Sequence, residues 1–233
     1  MLENERKEKI TALLSGNGTM TTSALARELY VSEATVRRDL TALEKSGQIR
    51  RVHGGAELVR MPDPQIPLTT RDRENDLAKQ NIAAKAVRLI HDGDTVFLDA
   101  SSTVLRVVPL LGAFTGLTVV TNSPKAVLGL AGMNIRTIST GGLLLDRSIA
   151  FVGTYAEQVI RSVNADVMLF SCRGVTEDGW LCDSSLDETS IRRAMLARSK
   201  LRCLLCDSRK FGEKFAFNIC RTDEVDVIIT EKT

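Results

Sequence analysis

The chain has 233 residues, of which 43% are apolar and 26% charged, and its formal net charge is only +2. This suits one large domain or two unequal ones and excludes a polycationic body, so any contact with nucleic acid has to come from a local basic patch. No apolar run reaches the length of a membrane span or signal peptide, and the five cysteines are an odd number, so reduced thiols in a cytoplasmic protein with no membrane association are expected.

In chain order, Ile10, Leu13 and Leu14 stand at helical spacing within residues 3–14, and Gly16-Asn17-Gly18 breaks the pattern after about three turns. A second helix follows, with Thr22 or Ser23 as its cap and Leu25, Ala26 and Leu29 as its inner face. Tyr30-Val31 then turn the chain into a third helix that starts at the cap Ser32 and stops at Ser46-Gly47. Helix, short turn, helix is the helix-turn-helix arrangement. Turning each residue by about 100° from Val36 puts Leu40 and Leu43 on one buried side. The opposite face carries Ala34, Arg38, Thr41 and Lys45 with Arg37 on its flank, while Glu33, Asp39 and Glu44 fall near the apolar edge. Small, hydroxylic and basic groups on a face cleared of acids are what a helix needs to enter a major groove. Next, Gln48 to Val52 reads as a strand bearing Arg50 and Arg51, His53-Gly54-Gly55 as a turn, and Ala56 to Val59 as a second strand, together a wing.

The run V-S-E-A-T-V-R-R-D-L-T-A-L-E-K-S-G-Q-I-R-R-V-H-G-G, Val31 to Gly55, resembles the DNA-binding signature of the DeoR family of bacterial transcriptional regulators. The resemblance implies a winged helix-turn-helix on double-stranded operator DNA, with Ser32, Thr35, Arg37, Arg38, Arg50, Arg51 and His53 at the DNA. Thr22, at the start of the second helix, joins this candidate set.

Residues 60–76, with Pro62, Pro64 and Pro67 and little periodicity, read as a linker, which divides the chain into a DNA-binding domain over 1–59 and a second domain over 77–233. A helix begins at Leu77 and carries Ile82, Ala86, Leu89 and Ile90. Strands are expected at Thr95–Asp99, Leu117–Thr121, Ile135–Ser139, Val167–Cys172, Leu201–Cys206 and Val225–Thr230. Helices at about 102–111, 124–131, 153–162 and 187–198 alternate with them, so the expected fold is α/β, a doubly wound and mostly parallel sheet. Asp99-Ala100-Ser101-Ser102-Thr103, Thr121-Asn122-Ser123, Ser139-Thr140-Gly141-Gly142 and Asp207-Ser208-Arg209-Lys210 each follow a strand. All four should meet at its carboxyl edge, the ligand crevice of such folds. Ser101 to Thr103 also open a helix, where backbone N–H groups and hydroxyls can hold a phosphate with Lys210 adding a positive charge.

L-D-A-S-S-T-V, V-T-N-S, the G-G pair and D-S-R-K-F-G are likewise similar to the DeoR effector domain. The likeness implies a sugar-phosphate sensor with a fold related to ribose-5-phosphate isomerase. Asp99, Ser101, Ser102, Thr103, Thr121, Asn122, Ser123, Gly141, Gly142, Asp207 and Lys210 would lie near the ligand, and Arg71 and Lys79 fit the family's R-x7-K spacing. A homodimer or homotetramer that represses a sugar-use operon is expected. The rival is an isomerase-like enzyme with an added DNA-binding domain. Its D-G-A-D-E motif would read Val163-Asn164-Ala165-Asp166-Val167, with no acid at the first position, and its K-G-G-G loop Cys172-Arg173-Gly174-Val175, which makes Arg173 a further ligand candidate. Cys203 and Cys206 should point to opposite faces of a strand, two histidines are too few for a zinc site, and no nucleotide fingerprint occurs, so neither a metal nor a cofactor is expected.

Overall fold

A computed structural model describes residues 3–45, 49–52, 54–58 and 67–232. His53, Ser46-Gly47, Gln48, Val59, linker residues 60–66 and the side chain of Lys45 lie outside this description. Contacts divide the chain into two units, Met1–Met61 and Pro62–Thr233.

The first unit runs α1 (Glu3–Asn17), β1 (Thr19–Thr21), α2 (Thr22–Leu29), α3 (Glu33–Lys45), β2 (Ile49–Val52) and β3 (Gly55–Leu58). The stripe of Val36, Leu40 and Leu43 is buried against Ile10, Leu14, Leu25 and Leu29. The cap of α2 is Thr21, whose hydroxyl accepts the Ala24 N–H at 3.1 Å, and not Thr22 or Ser23. Thr22 is buried, and its N–H donates to Gly54 O, tying the helix to the hairpin. Tyr30 ends α2 at φ +54, and its N–H and that of Val31 close the last turn. β1 is an unforeseen third strand, paired with β3 in the order β1-β3-β2. Position 55 must be glycine for this pairing, because a Cβ there would overlap the Met20 carbonyl.

The second unit starts with α4 (Leu68–Arg73), inside the stretch expected as linker. Leu68 is fully buried and its N–H donates to Arg147 O at 2.8 Å, so apolar anchoring overrides the prolines before it. The chain continues through α5 (Asp76–Ala86), β4 (Thr95–Leu98), β5 (Thr118–Thr121), α6 (Pro124–Leu130), β6 (Arg136–Ser139), β7 (Leu143–Leu145), β8 (Ala150–Val152), α7 (Thr154–Arg161), β9 (Ala165–Phe170), β10 (Gly174–Val175), β11 (Trp180–Asp183), α8 (Leu186–Leu196), β12 (Ser199–Leu205), β13 (Phe217–Arg221) and β14 (Val227–Ile229). The six expected strands form one sheet in the order β14-β12-β9-β4-β5-β6 with every pair parallel. Apolar clusters cover both faces, one around Val96, Leu98, Val119 and Leu169, the other around Phe97, Met168, Phe170 and Leu204.

Chain order reverses between β4 and β9, and the crevice beyond the carboxyl ends of those two strands is where such sheets bind ligands. Residues 104–113 form two 3-10 segments in place of an α-helix, since Pro109 lacks an N–H to donate. The hairpin β7–β8 and the antiparallel sheet β10-β11-β13 were not foreseen; β7, β8 and β10 span only two or three residues each. Trp180 is a strand residue paired with Arg221, whose guanidinium lies 5.4 Å from its ring centroid.

Candidate nucleic-acid interface and effector site

Ser32 accepts the Thr35 N–H at 3.2 Å and their hydroxyls share a bond of 2.9 Å, so the start of α3 is capped as its sequence requires. Ala34, Arg37, Arg38 and Thr41 are exposed on it and Thr35 is half-buried; the Thr41 hydroxyl donates to Arg37 O. The acids are arranged differently from expectation. Asp39 is buried and held by Arg6 of α1 through two bonds of 2.5 and 3.1 Å, whereas Glu33 is exposed and pairs with Arg37 at 2.8 Å. The exposed surface of α3 therefore carries two carboxylates, Glu33 at its amino end, where the i,i+4 spacing lets it reach the flanking arginine, and Glu44 in its last turn. Arg50 is exposed on the wing and clamped by Glu57 across the β2–β3 pair, while Arg51 is half-buried.

In the second unit the four polar loops do meet at the carboxyl edge. Asp99, Ser101, Ser102, Thr103, Thr121, Asn122, Ser123 and Asp207 are all buried. Several of their hydroxyls and carboxylates shape the backbone. Ser101 accepts the Val104 N–H, Thr121 the Ser123 N–H, Ser123 the Ala126 N–H at the start of α6, and Asp207 the Arg209 N–H. Asn122 clamps β8 by donating to Phe151 O. Gly142, at φ +112, sits where a Cβ would come within 2.5 Å of Val152 O, so its place is fixed by strand packing, and Gly141 beside it has φ +58. Two buried polar atoms in these loops, Thr103 Oγ1 and Asn122 Oδ1, have no partner among the described residues, as expected where a ligand completes the bonding.

The cations converge on the same edge. Lys79 of α5 is buried to 4% exposure and its ammonium donates to Arg71 O. Burial first, then repulsion from Lys210 and Arg106, lowers its pKa to about 8. Lys210 donates to Ser171 Oγ at 3.0 Å, directly at the end of β9. Arg106 is held by Asp72 and Asp76, and Lys125 by Asp72. An anion among these groups would relieve the repulsion and use the free hydroxyl of Thr103.

Beside them lies a charge network that sequence reasoning missed. Arg192 of α8 is buried and reaches Asp99 at 2.8 Å, Asp183 at 2.9 Å and Glu188 at 3.6 Å. Burial opposes its charge, but Asp183, Asp99 and Glu188 more than offset that and hold it protonated. Asp99 also accepts the N–H groups of Ser101 and Ser171, so it locks the phosphate-type loop to the end of β9 and presents no open face to a ligand. Burial of Arg71 lowers its pKa, with Glu188 acting against that shift. Only the i,i+4 spacing of Glu188 and Arg192 was visible in the sequence, and Ser171 gave no signal. Cys203 and Cys206 do fall on opposite faces of the sheet, where Cys206 meets Cys172.

Two family descriptions match this chain: a DeoR-like helix-turn-helix domain over residues 6–61 and a DeoR C-terminal sensor domain over residues 74–232. The chain belongs to the DeoR family. It is a DNA-binding transcriptional regulator. Among curated DeoR-type relatives, the HTH-type transcriptional regulator GolR of Listeria innocua is 34% identical over 99% of this chain and 91% of its own length. The L-fucose operon activator of Haemophilus influenzae is 31% identical over 99% and 92%, and the lactose phosphotransferase system repressor of Staphylococcus epidermidis 30% identical over 99% and 93%. The fold of eIF2B delta from Chaetomium thermophilum is similar at a TM-score of 0.51 and 17% identity, over 70% of this chain and 58% of that one. Ribose 5-phosphate isomerase A from Methanocaldococcus jannaschii superposes more loosely, at a TM-score of 0.44 and 18% identity over 59% and 55%.

The DeoR sensor domain also corrects one detail of the isomerase comparison. Val163 precedes β9 and Asp166 lies at its start, where Asp166 accepts the Thr95 N–H, so both occupy the amino edge of the sheet, away from the loops. The end of β9 that does face the crevice reads Ser171-Cys172-Arg173 and carries no carboxylate.

Proposed function

We propose that this DeoR-family regulator represses a sugar-use operon and that a phosphorylated sugar, bound at the carboxyl edge of the parallel sheet, sets its affinity for operator DNA. The observation that carries this reading is Lys79, a buried ammonium beside Lys210 at loops whose Thr103 and Asn122 side chains retain unused bonding capacity. A phosphate dianion is the ligand that such a site rewards electrostatically. Relatives named for lactose and fucose systems support a carbohydrate signal.

In this reading Ala34, Arg37, Arg38, Thr41 and Lys45 of α3, with Ser32 and Thr35 at its cap, face the major groove, and Arg50, Arg51 and His53 of the wing reach the backbone. One head of this size buries too little surface to select an operator, so the protein acts in the cytoplasm as a homodimer or homotetramer on half-sites separated by multiples of about 34 Å. The test is thermal denaturation with sugar phosphates and their unphosphorylated parents. A phosphorylated sugar raises the melting temperature and its parent does not. Lys210→Ala weakens that stabilisation and the effector response in an operator-binding assay. Equal stabilisation by the parent sugar would rule out the phosphate reading.

A further inference from the structure

One strand of the sensor keeps an open side. The hairpin β7–β8 forms a two-stranded sheet of its own, with Leu143 opposite Val152, Leu144 opposite Phe151 and Leu145 opposite Ala150. Phe151 fixes which way the middle pair faces. Its N–H donates to Asn122 O at 2.8 Å and its C=O accepts the Asn122 side-chain N–H at 3.0 Å, both on the side away from β7. In an antiparallel ladder the residue opposite then turns its own N–H and C=O outward as well. Leu144 therefore presents a donor and an acceptor at the free edge of β7, where no further strand lies among the described residues.

This edge is unguarded and apolar. Leu143 is 67% exposed and Leu144 45%. Exposed edges are commonly protected by charged residues, prolines or bulges, yet residues 139–145 hold no charge or proline and the β7–β8 register runs without a bulge. The start of α7 abuts the same end of β7: a Cβ at Gly142 would meet Ala156, and Tyr155, beside it in the chain, is 77% exposed. Self-complementarity selects the occupant. An antiparallel copy centred on Leu144 exchanges both bonds between the two Leu144 residues and sets Leu143 against Leu145 of the copy. It brings Asp146 and Arg147 opposite Gly142 and Gly141, so no like charges meet. A two-fold axis achieves this with one patch, as a dimer of identical chains requires. Three residues with Tyr155 at their rim are small beside the roughly 800 Å² per partner of a standard interface, which makes the contact a reversible one.

We propose that two copies of this chain pair through the free edge of β7, forming a continuous four-stranded sheet β8-β7-β7-β8 with Leu144 on the two-fold axis. This names the interface of the assembly proposed above and rests on that reading. The edge is joined to the proposed ligand loops, since β7 begins directly after Gly141-Gly142 and Asn122 holds β8. It is joined to α4 as well, because the turn between the strands accepts the Leu68 N–H through Arg147 O.

Sedimentation velocity on the full chain, at concentrations up to about 100 μM, tests it. Leu144→Lys and Leu144→Glu each set two like charges face to face across the axis and raise the dissociation constant of this contact at least about tenfold, splitting a dimer into monomers or a tetramer into dimers. An equimolar mixture of the two variants restores the assembly, as only a residue that faces its own copy allows. Leu144→Cys gives a covalent dimer on mild oxidation, since directly opposed residues lie about 5.5 Å apart at Cα, within disulfide reach. The five native thiols are buried and leave that readout clear. Assembly unchanged in both charge variants, a mixture that stays dissociated, or no 144–144 cross-link overturns this interface while leaving assembly through another surface intact. Should a charge variant unfold by circular dichroism, the cross-link decides alone. A wild-type chain that stays monomeric throughout overturns both readings together.

Discussion

The two halves of this regulator bury charge in different ways. In the head, one carboxylate, Asp39, is buried against one guanidinium, Arg6, while the exposed residues of α3 that the proposal brings to DNA stand clear of that pair. In the sensor, Arg192 and three carboxylates lie at the crevice where the proposal places the ligand, next to a buried Lys79. The head can therefore treat its ion pair as scaffold. The sensor cannot separate scaffold from site, because Asp99 closes the phosphate-type loop and also completes the network.

The largest effect expected from this contrast comes from Arg192→Met. It leaves Asp99, Asp183 and Glu188 buried without their cation, and breaking a buried pair in this way costs about 3–5 kcal/mol. Calorimetry should show the sensor transition falling steeply, with the head transition unmoved. Loss of both transitions together would contradict the division into independent scaffolds.

Arg38→Ala probes the opposite arrangement. Its side chain is exposed and makes no ion pair among the described residues, so the fold should be unaffected while operator binding weakens by about 1–3 kcal/mol if it reads a base, or the salt slope falls by about one if it meets a phosphate. Arg50→Ala gives the control for stability, since its exposed bridge to Glu57 is worth no more than about 1 kcal/mol. Fluorescence anisotropy at several salt concentrations separates these outcomes.

The smallest effect is a pH dependence. Lys79 in the ligand-free sensor titrates at about 8, below its ordinary 10.5. A phosphate bound as proposed would raise that value, so binding would take up a proton at pH above 8. Affinity should be insensitive to this group below pH 8 and fall above it, by up to about tenfold per unit. The ligand-free sensor shows the opposite slope. Its unfolded chain holds the proton that the folded one has lost, so stability rises as pH increases from about 8 towards 10.5. Lys79→Met should remove both slopes.

Legibility in the sequence followed the same divide. The recognition helix was readable because its cap, its apolar stripe and its basic face are all local, and Val36, Leu40 and Leu43 are buried as their spacing requires. The six central strands were readable from runs such as Thr-Val-Phe-Leu and Thr-Val-Val-Thr, since strands covered on both faces must be continuously apolar. What escaped was short or distant. β1, β7 and β8 span three residues each, too few to show a period.

The sequence alone determined that a helix-turn-helix head precedes an α/β sheet and that four polar loops follow its strands, because hydrogen-bonded periodicity and turn chemistry act over a few residues. Tertiary structure decided which charges meet. Arg192 and Asp99 are 93 residues apart, and nothing local to either marks them as partners. They come together because parallel crossovers carry every strand end to one edge, where a buried guanidinium must find carboxylates or remain uncompensated.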